Sequence, residues 1–177
     1  MLRYYINKIL VLCVLYLFIN TGAVASEPTL ASLVNVISND IQRFKINNYQ
    51  FNCEPYGIIT LEELYKESSF DTVCKKSIYE YFTKRPDLTY FVAKKMHTFQ
   101  LYNIKVMGEK CIVNIDGEKS LSEVLLEEGL AVRKPLLRNE EYHYYFYKSE
   151  LKAKISRKGI WESNIMKECI ADIYKKK

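Results

Sequence analysis

Of the five cysteines in this sequence, Cys53, Cys74, Cys111 and Cys169 lie beyond the N-terminal apolar run and can do covalent chemistry. They form no C-x-x-C pair, and His97 and His143 stand at no metal-ligand spacing from them, so zinc coordination is a poor fit. In an oxidising compartment four cysteines allow two disulfides, in three possible pairings. A second chemistry is electrostatic. Lys148, Lys152, Lys154, Arg157 and Lys158 are spread along one helical segment, and Lys175, Lys176 and Lys177 end the sequence. Such a stripe can contact phosphates or be a solvated helix face. Tyr142, Tyr144, Tyr145, Phe146 and Tyr147 crowd the same segment. Those that point inward are core; those that point outward can stack on bases or cover a protein interface.

The compartment follows from the first residues. Arg3 and Lys8 precede an apolar run from Ile9 to Ile19, followed by Ala23-Val24-Ala25. A basic start, a short apolar stretch and an A-x-A end form the pattern of a secretory signal peptide. The run falls well short of the roughly 20 residues that span a bilayer. Cleavage after Ala25 is expected, which leaves no membrane span and places the product in a periplasm or outside the cell. The expected organisation is a signal peptide at 1–25, one domain at 26–163 and a basic tail at 164–177. Arg3, Lys8 and Cys13 leave with the signal, so the formal +5 falls and four cysteines remain. That charge is too modest to argue for nucleic acid by itself. A hydrophobic content of 49%, with four prolines and six glycines, excludes a disordered or collagen-like chain.

The elements that must position these groups read as follows. Residues 26–31 form a short leader, and Leu33 to Ile37 is a β-branched run broken at Ser38-Asn39-Asp40, where small polar residues favour a turn. Ile41 to Ile46 and Tyr49 to Cys53 flank Asn47-Asn48, a two-residue hairpin turn. Cys74, Ile78, Tyr81 and Phe82 keep a helical period that Arg85-Pro86 stops. Thr89 to Ala93 and Cys111 to Ile115 read as strands, while Lys94 to Lys110 gives no clean period. Ser120 and Glu123 form a capping-box pattern opening a short helix with a Leu121, Val124, Leu125 stripe, and Gly129 suits its left-handed cap. A longer helix begins near Asn139, with Tyr142, Phe146, Ser149 and Ala153 inward and Gly159 at its end. The order predicts an α+β fold, a small closed barrel with helices at one end.

The last third resembles a known family. Gly129-Leu130-Ala131-Val132, Lys148-Ser149-Glu150 with Ala153-Lys154, and Gly159-Ile160-Trp161 are similar to the G-L-A-x, K-S-E-x-x-A-K and I-W segments of staphylococcal-nuclease-like (thermonuclease) domains. The resemblance covers residues 32–163. It implies a five-stranded OB-fold barrel with three helices and, in active members, calcium-dependent cleavage of phosphodiester bonds in DNA and RNA. That chemistry needs carboxylates for a hard cation, a carboxylate to orient water, and two arginines on the phosphate.

The family motifs align only in part. Against D-G-D-T stands Ser38-Asn39-Asp40-Ile41, which keeps one carboxylate. Against R-L-x-G-I-D-x-P-E stands Glu54-Pro55-Tyr56-Gly57-Ile58-Ile59-Thr60-Leu61-Glu62, with Glu54 at the arginine position and Ile59 at the aspartate position. Against Y-G-R stands Met107-Gly108-Glu109, although a shift of one residue would put Lys110 there. The resemblance therefore implies a calcium site reduced to Asp40 and Glu62, and glutamates at both phosphate-clamping positions. Loss of a single charge-stabilising donor typically lowers the rate by about 10²–10³. The expected protein has the fold without the family's chemistry. It acts as a binding module for an envelope protein or for single-stranded nucleic acid, the latter through Lys148, Lys152 and Arg157; a divergent calcium nuclease is the remaining alternative. The barrel topology also favours a Cys53–Cys111 bridge, which leaves Cys74 to pair with Cys169.

Overall fold

In a computed structural model, residues 27–68, 73–135, 140–162 and 165–175 are described. The expected signal peptide lies outside them. Five strands close into a barrel: β1 (Thr29–Ser38), β2 (Ile41–Ile46), β3 (Tyr49–Pro55), β5 (Leu101–Met107) and β6 (Lys110–Asp116). The sheet runs β3-β2-β1-β5-β6, and a short parallel pairing of β3 with β6 (Glu54 opposite Lys110, Pro55 opposite Cys111) closes it. A two-residue β7 (Lys119–Ser120) extends β6, and β4 (Ile58–Thr60) pairs separately with β8 (Ala131–Arg133). The fold is the expected α+β barrel.

The two short turns form where small polar residues predict them. Asn39-Asp40 joins β1 to β2, and Asn47, at φ 53°, makes the left-handed step between β2 and β3. Inward positions alternate along the strands: Ala31, Leu33, Phe44, Tyr102 and Ile104 are buried. The described helices are α1 (Leu61–Glu67), α2 (Val73–Lys84), α3 (Phe91–Lys95), α4 (Leu121–Glu127), α5 (Glu140–Ile155) and α6 (Ile165–Lys175). The expected three are α2, α4 and α5; α1, α3 and α6 add to them.

Three local readings are corrected. The leader is not separate, because β1 starts at Thr29, held by β5 through Thr29 opposite Ile104 and Ala31 opposite Tyr102. Thr89 to Ala93 is not a strand. Pro86–Tyr90 is a 3₁₀ turn that runs into α3, and the strand lies in the stretch without a clean period, at Leu101–Met107. The cause is Asn39: its amide donates to the carbonyls of Leu88 (2.9 Å) and Thr89 (3.3 Å) and accepts from the N–H of Val92 (2.9 Å). These bonds hold the backbone of a β-prone sequence in a turn. Finally, Gly159 does not cap α5. Arg157 does, at φ 50°, with Lys158 N–H on Ala153 O (3.0 Å) and Arg157 N–H on Lys154 O (3.3 Å).

Gly159 has a different task. It crosses Gly129, which caps α4 as expected, with Leu130 N–H on Leu125 O at 2.9 Å. A Cβ on Gly129 would stand 2.2 Å from the Lys158 carbonyl oxygen, and one on Gly159 would stand 2.2 Å from that of Gly129. Ile160 N–H then bonds Gly129 O at 2.9 Å. The cap of α4 and the exit of α5 thus meet backbone to backbone, and Ile160 and Phe146 are fully buried behind them.

Two disulfides fasten the molecule. Cys53–Cys111 joins β3 to β6 with Cα atoms 5.8 Å apart, and Cys74–Cys169 joins α2 to α6 at 4.7 Å. Residues 165–175, read as tail, form a helix that buries Ile165, Cys169 and Ile173. No described helix is long and apolar enough to cross a membrane.

Candidate functional site

Two of the implied site residues come together. Thr60 caps α1, its hydroxyl accepting from Glu63 N–H at 3.0 Å, and this places Glu62 in the first turn facing the β1–β2 turn. There Glu62 and Asp40 are hydrogen-bonded carboxyl to carboxyl. Burial, with Asp40 beside it, pushes Glu62 up to about 7. Asp40 titrates below the usual carboxylate range: its burial acts the other way, and hydrogen bonds from Glu62, Ser38 and Lys66 outweigh it.

Each of the four carboxylate oxygens already accepts a hydrogen bond. Asp40 Oδ1 takes the Ser38 hydroxyl and Oδ2 the Lys66 ammonium at 3.0 Å. Glu62 Oε2 takes the Asn39 backbone N–H at 3.1 Å, and Oε1 takes the Asn39 side-chain amide at 2.8 Å. Gln42, fully buried in β2, steadies the same turn by donating to the carbonyls of Ser38 and Asn39 at 3.2 and 3.1 Å. Calcium takes six to eight oxygens, several of them anionic. Here two carboxylates face an ammonium and two amide donors, so the residues present do not fit calcium. Among the described residues no group of three or more His, Cys, Asp or Glu side chains is placed to hold a metal ion.

The implied phosphate-clamping positions lie on the β3–β6 closure. Glu54 is opposite Lys110 in register, and Lys110 Nζ stands 3.1 Å from Glu54 and 3.8 Å from Glu63. Lys134, half-buried beside them, is depressed by burial first and by the Lys110 charge second. Glu109 is exposed in the Gly108-Glu109 turn. The group across from Glu54 is therefore Lys110, and the pair neutralises itself.

The basic stripe of α5 is also tied. Lys152 pairs with Glu127 (3.2 Å), Lys154 with Glu150 (2.8 Å) and Lys158 with Glu128 (2.9 Å). Lys148 and Arg157 are exposed, Arg157 in the helix cap. Of the aromatic run, Phe146 is buried, Tyr142 is half-buried, and Tyr144, Tyr145 and Tyr147 are exposed.

Sequence reading missed Lys66, Asn39 and the Glu63–Lys110–Lys134 cluster. Lys66 carries a usable signal, since Glu62 and Lys66 are four apart on one helical turn. Asn39 carries none, because the partners of its side chain lie 23 to 53 residues away. Beside the carboxyl pair a cleft of about 370 Å³ opens between β1, α1, α2 and the 86–93 segment, with Tyr65, Tyr79, Phe82 and Tyr90 in its walls.

The sequence model of the family described as staphylococcal nuclease homologue matches residues 95–163, the stretch that contains β5, β6, the Gly129–Gly159 crossing and α5. No curated protein matches the sequence significantly. The barrel, its helices and this match together show that the chain carries a staphylococcal-nuclease-like domain.

Proposed function

We propose that this domain has lost the calcium-dependent phosphodiesterase chemistry of its family and works as an exported module that binds another envelope protein. The observation that carries the reading is the saturation of Asp40 and Glu62 by Ser38, Asn39 and Lys66. A cation would have to displace an ammonium and two amide donors, and a phosphate would meet the Glu54–Lys110 pair where two arginines are needed. Two disulfides suit an oxidising periplasm or exterior. Protein is favoured over nucleic acid because Lys152 and Lys154 of α5 and Lys158 just beyond it are paired with glutamates, while Tyr144, Tyr145 and Tyr147 of the same helix stand exposed. The test is incubation of residues 26–177 with single-stranded DNA and RNA, with calcium or chelator, over a salt series. The expected result is no cleavage and no salt-steep binding. Calcium-dependent cleavage would overturn the proposal, and tight binding that falls steeply with salt would transfer it to nucleic acid.

A further inference from the structure

The cleft beside the carboxyl pair is walled almost wholly by carbon. Tyr65 comes from α1, Tyr79 and Phe82 from α2, Tyr90 from the 3₁₀ turn, and Ile37 from the end of β1. Ser38, Asn39, Glu62, Lys66 and Thr89 contribute polar groups to its lining. Three of the wall residues also stand out into solvent: Ile37 is 47% exposed, Tyr79 61% and Tyr90 66%. An apolar hollow that continues into an apolar rim marks an interaction site.

We propose that this cleft receives a neutral aromatic side chain of a partner polypeptide. The inference rests on the binding-module reading and names the site through which it works. Three observations select the occupant. The cleft has room for one large side chain, at about 370 Å³. Its polar groups are tied off internally, with Lys66 on Asp40 and Asn39 on both oxygens of Glu62, so an ionic ligand would have to displace partners already in place. The exposed rim extends beyond what a free ring would cover, whereas the backbone and neighbouring residues of a polypeptide would lie across Ile37, Tyr79 and Tyr90. An aromatic anchor in a desolvated pocket, ringed by contacts that exclude water, is how protein interfaces concentrate their binding energy. The ring would sit between tyrosine and phenylalanine walls, where edge and offset-stacked contacts add to burial.

The experiment uses residues 26–177 with p-cresol, which mimics a tyrosine side chain, and with peptides selected on the protein from a random library. Ala93 lines the cleft and is exposed, so Ala93→Trp fills the hollow from its rim without disturbing the core, and Ala93→Ser serves as the matched control. The expected result is a saturable p-cresol shift of the Ile37 and Ala93 methyl resonances, with a dissociation constant of about 1 mM. Selected peptides are expected to share one aromatic residue. Alanine in its place, or Ala93→Trp in the protein, should weaken binding by about tenfold or more, while Ala93→Ser leaves it intact. Peptides that lack an aromatic, or that bind the Ala93→Trp protein as tightly as the parent, would overturn the cleft and leave the binding-module reading standing. Saturable p-cresol binding with no peptide binding would overturn the polypeptide occupant in favour of a free ring compound. Absence of both, together with calcium-dependent cleavage, would bring down the functional reading itself.

Discussion

Residues 95–163 and residues 27–94 build one barrel under different rules. The first stretch matches the family model; the second contributes β1, β2 and β3 and carries Asp40, Glu54 and Glu62. The difference lies in what each contact demands. Where α4 and α5 cross, two backbones pass so closely that a Cβ on either glycine would stand 2.2 Å from a carbonyl oxygen. Only glycine satisfies that, so the fold dictates the sequence. At the β1–β2 turn the demand is that buried polar groups find partners, and many sets of side chains meet it. Ser38, Asn39 and Lys66 meet it around Asp40 and Glu62.

The sharpest way to break this comparison is Gly129→Ala. Overlap with Lys158, combined with a φ of 66°, should destabilise the protein by about 3–5 kcal/mol in denaturant unfolding. Gly117→Ala is the control, because Gly117 has φ 60° but open space around it; its expected loss is about 1 kcal/mol. Equal losses at the two positions would mean that left-handed strain alone, and not the crossing, sets the requirement.

The same contrast explains what was legible. The Asn47-Asn48 turn, the Cys74–Ile78–Tyr81 stripe and the Ser120–Glu123 capping box rest on local rules, and each forms. The Leu121 helix buries Leu126 more fully than Val124, a one-position rotation of the stripe. What failed was non-local. Thr89 to Ala93 has strand composition, yet Asn39, some 50 residues earlier, captures its backbone. Leu101–Met107 alternates only at Tyr102 and Ile104, and an exposed Leu101 hides the period. The motif alignment singled out Asp40 and Glu62, which the structure brings together, but their hydrogen-bond partners were not legible, since these depend on a turn and a helix meeting in space.

A second, smaller test concerns Glu62. Its carboxyl titrates near 7 in the folded chain against an ordinary 4.5. Between those values the folded state binds more protons than the unfolded state, so stability falls as pH rises through the window and levels off above it. The decline should be on the order of 2 kcal/mol, less than the raw shift implies because Glu62 and Asp40 interact as a pair. Asp40, whose carboxyl is lowered, acts in a separate window, contributing stability that is lost as pH falls below the usual carboxylate range. Glu62→Gln imitates the protonated acid and should flatten the upper window. An unchanged slope in urea midpoints from pH 4.5 to pH 7 would show that another group is responsible.

Next in size is Glu54→Arg, which places an arginine where the family resemblance implies one. The new guanidinium would face Lys110 and Lys134, so a loss of about 1 kcal/mol is expected at low salt, shrinking as salt is added. No calcium-dependent cleavage should appear. Activity from this single change would mean that the two regions differ by one charge rather than by an interlocked set of contacts.

The smallest effect is expected at Lys66, and it tests whether the Asp40–Glu62 pair can take a cation at all. Lys66 is 55% exposed and Asp40 11%, so Lys66→Met should lower stability by only about 0.5 kcal/mol, the scale of a partly solvated ion pair. The variant removes the ammonium held on Asp40, yet Ser38 still donates to Oδ1 and Asn39 still donates to both oxygens of Glu62. Two carboxylates with three of their four oxygens engaged do not supply the six to eight ligands calcium takes. Millimolar calcium should therefore leave the melting temperature of Lys66→Met where chelator leaves it. A bound ion at about 100 times its dissociation constant would stabilise the fold by about 2.7 kcal/mol, which such a measurement resolves easily. If that stabilisation appeared, Lys66 alone would be what separates this turn from a cation site, and the turn would be as closely bound to the family's sequence as the glycine crossing is.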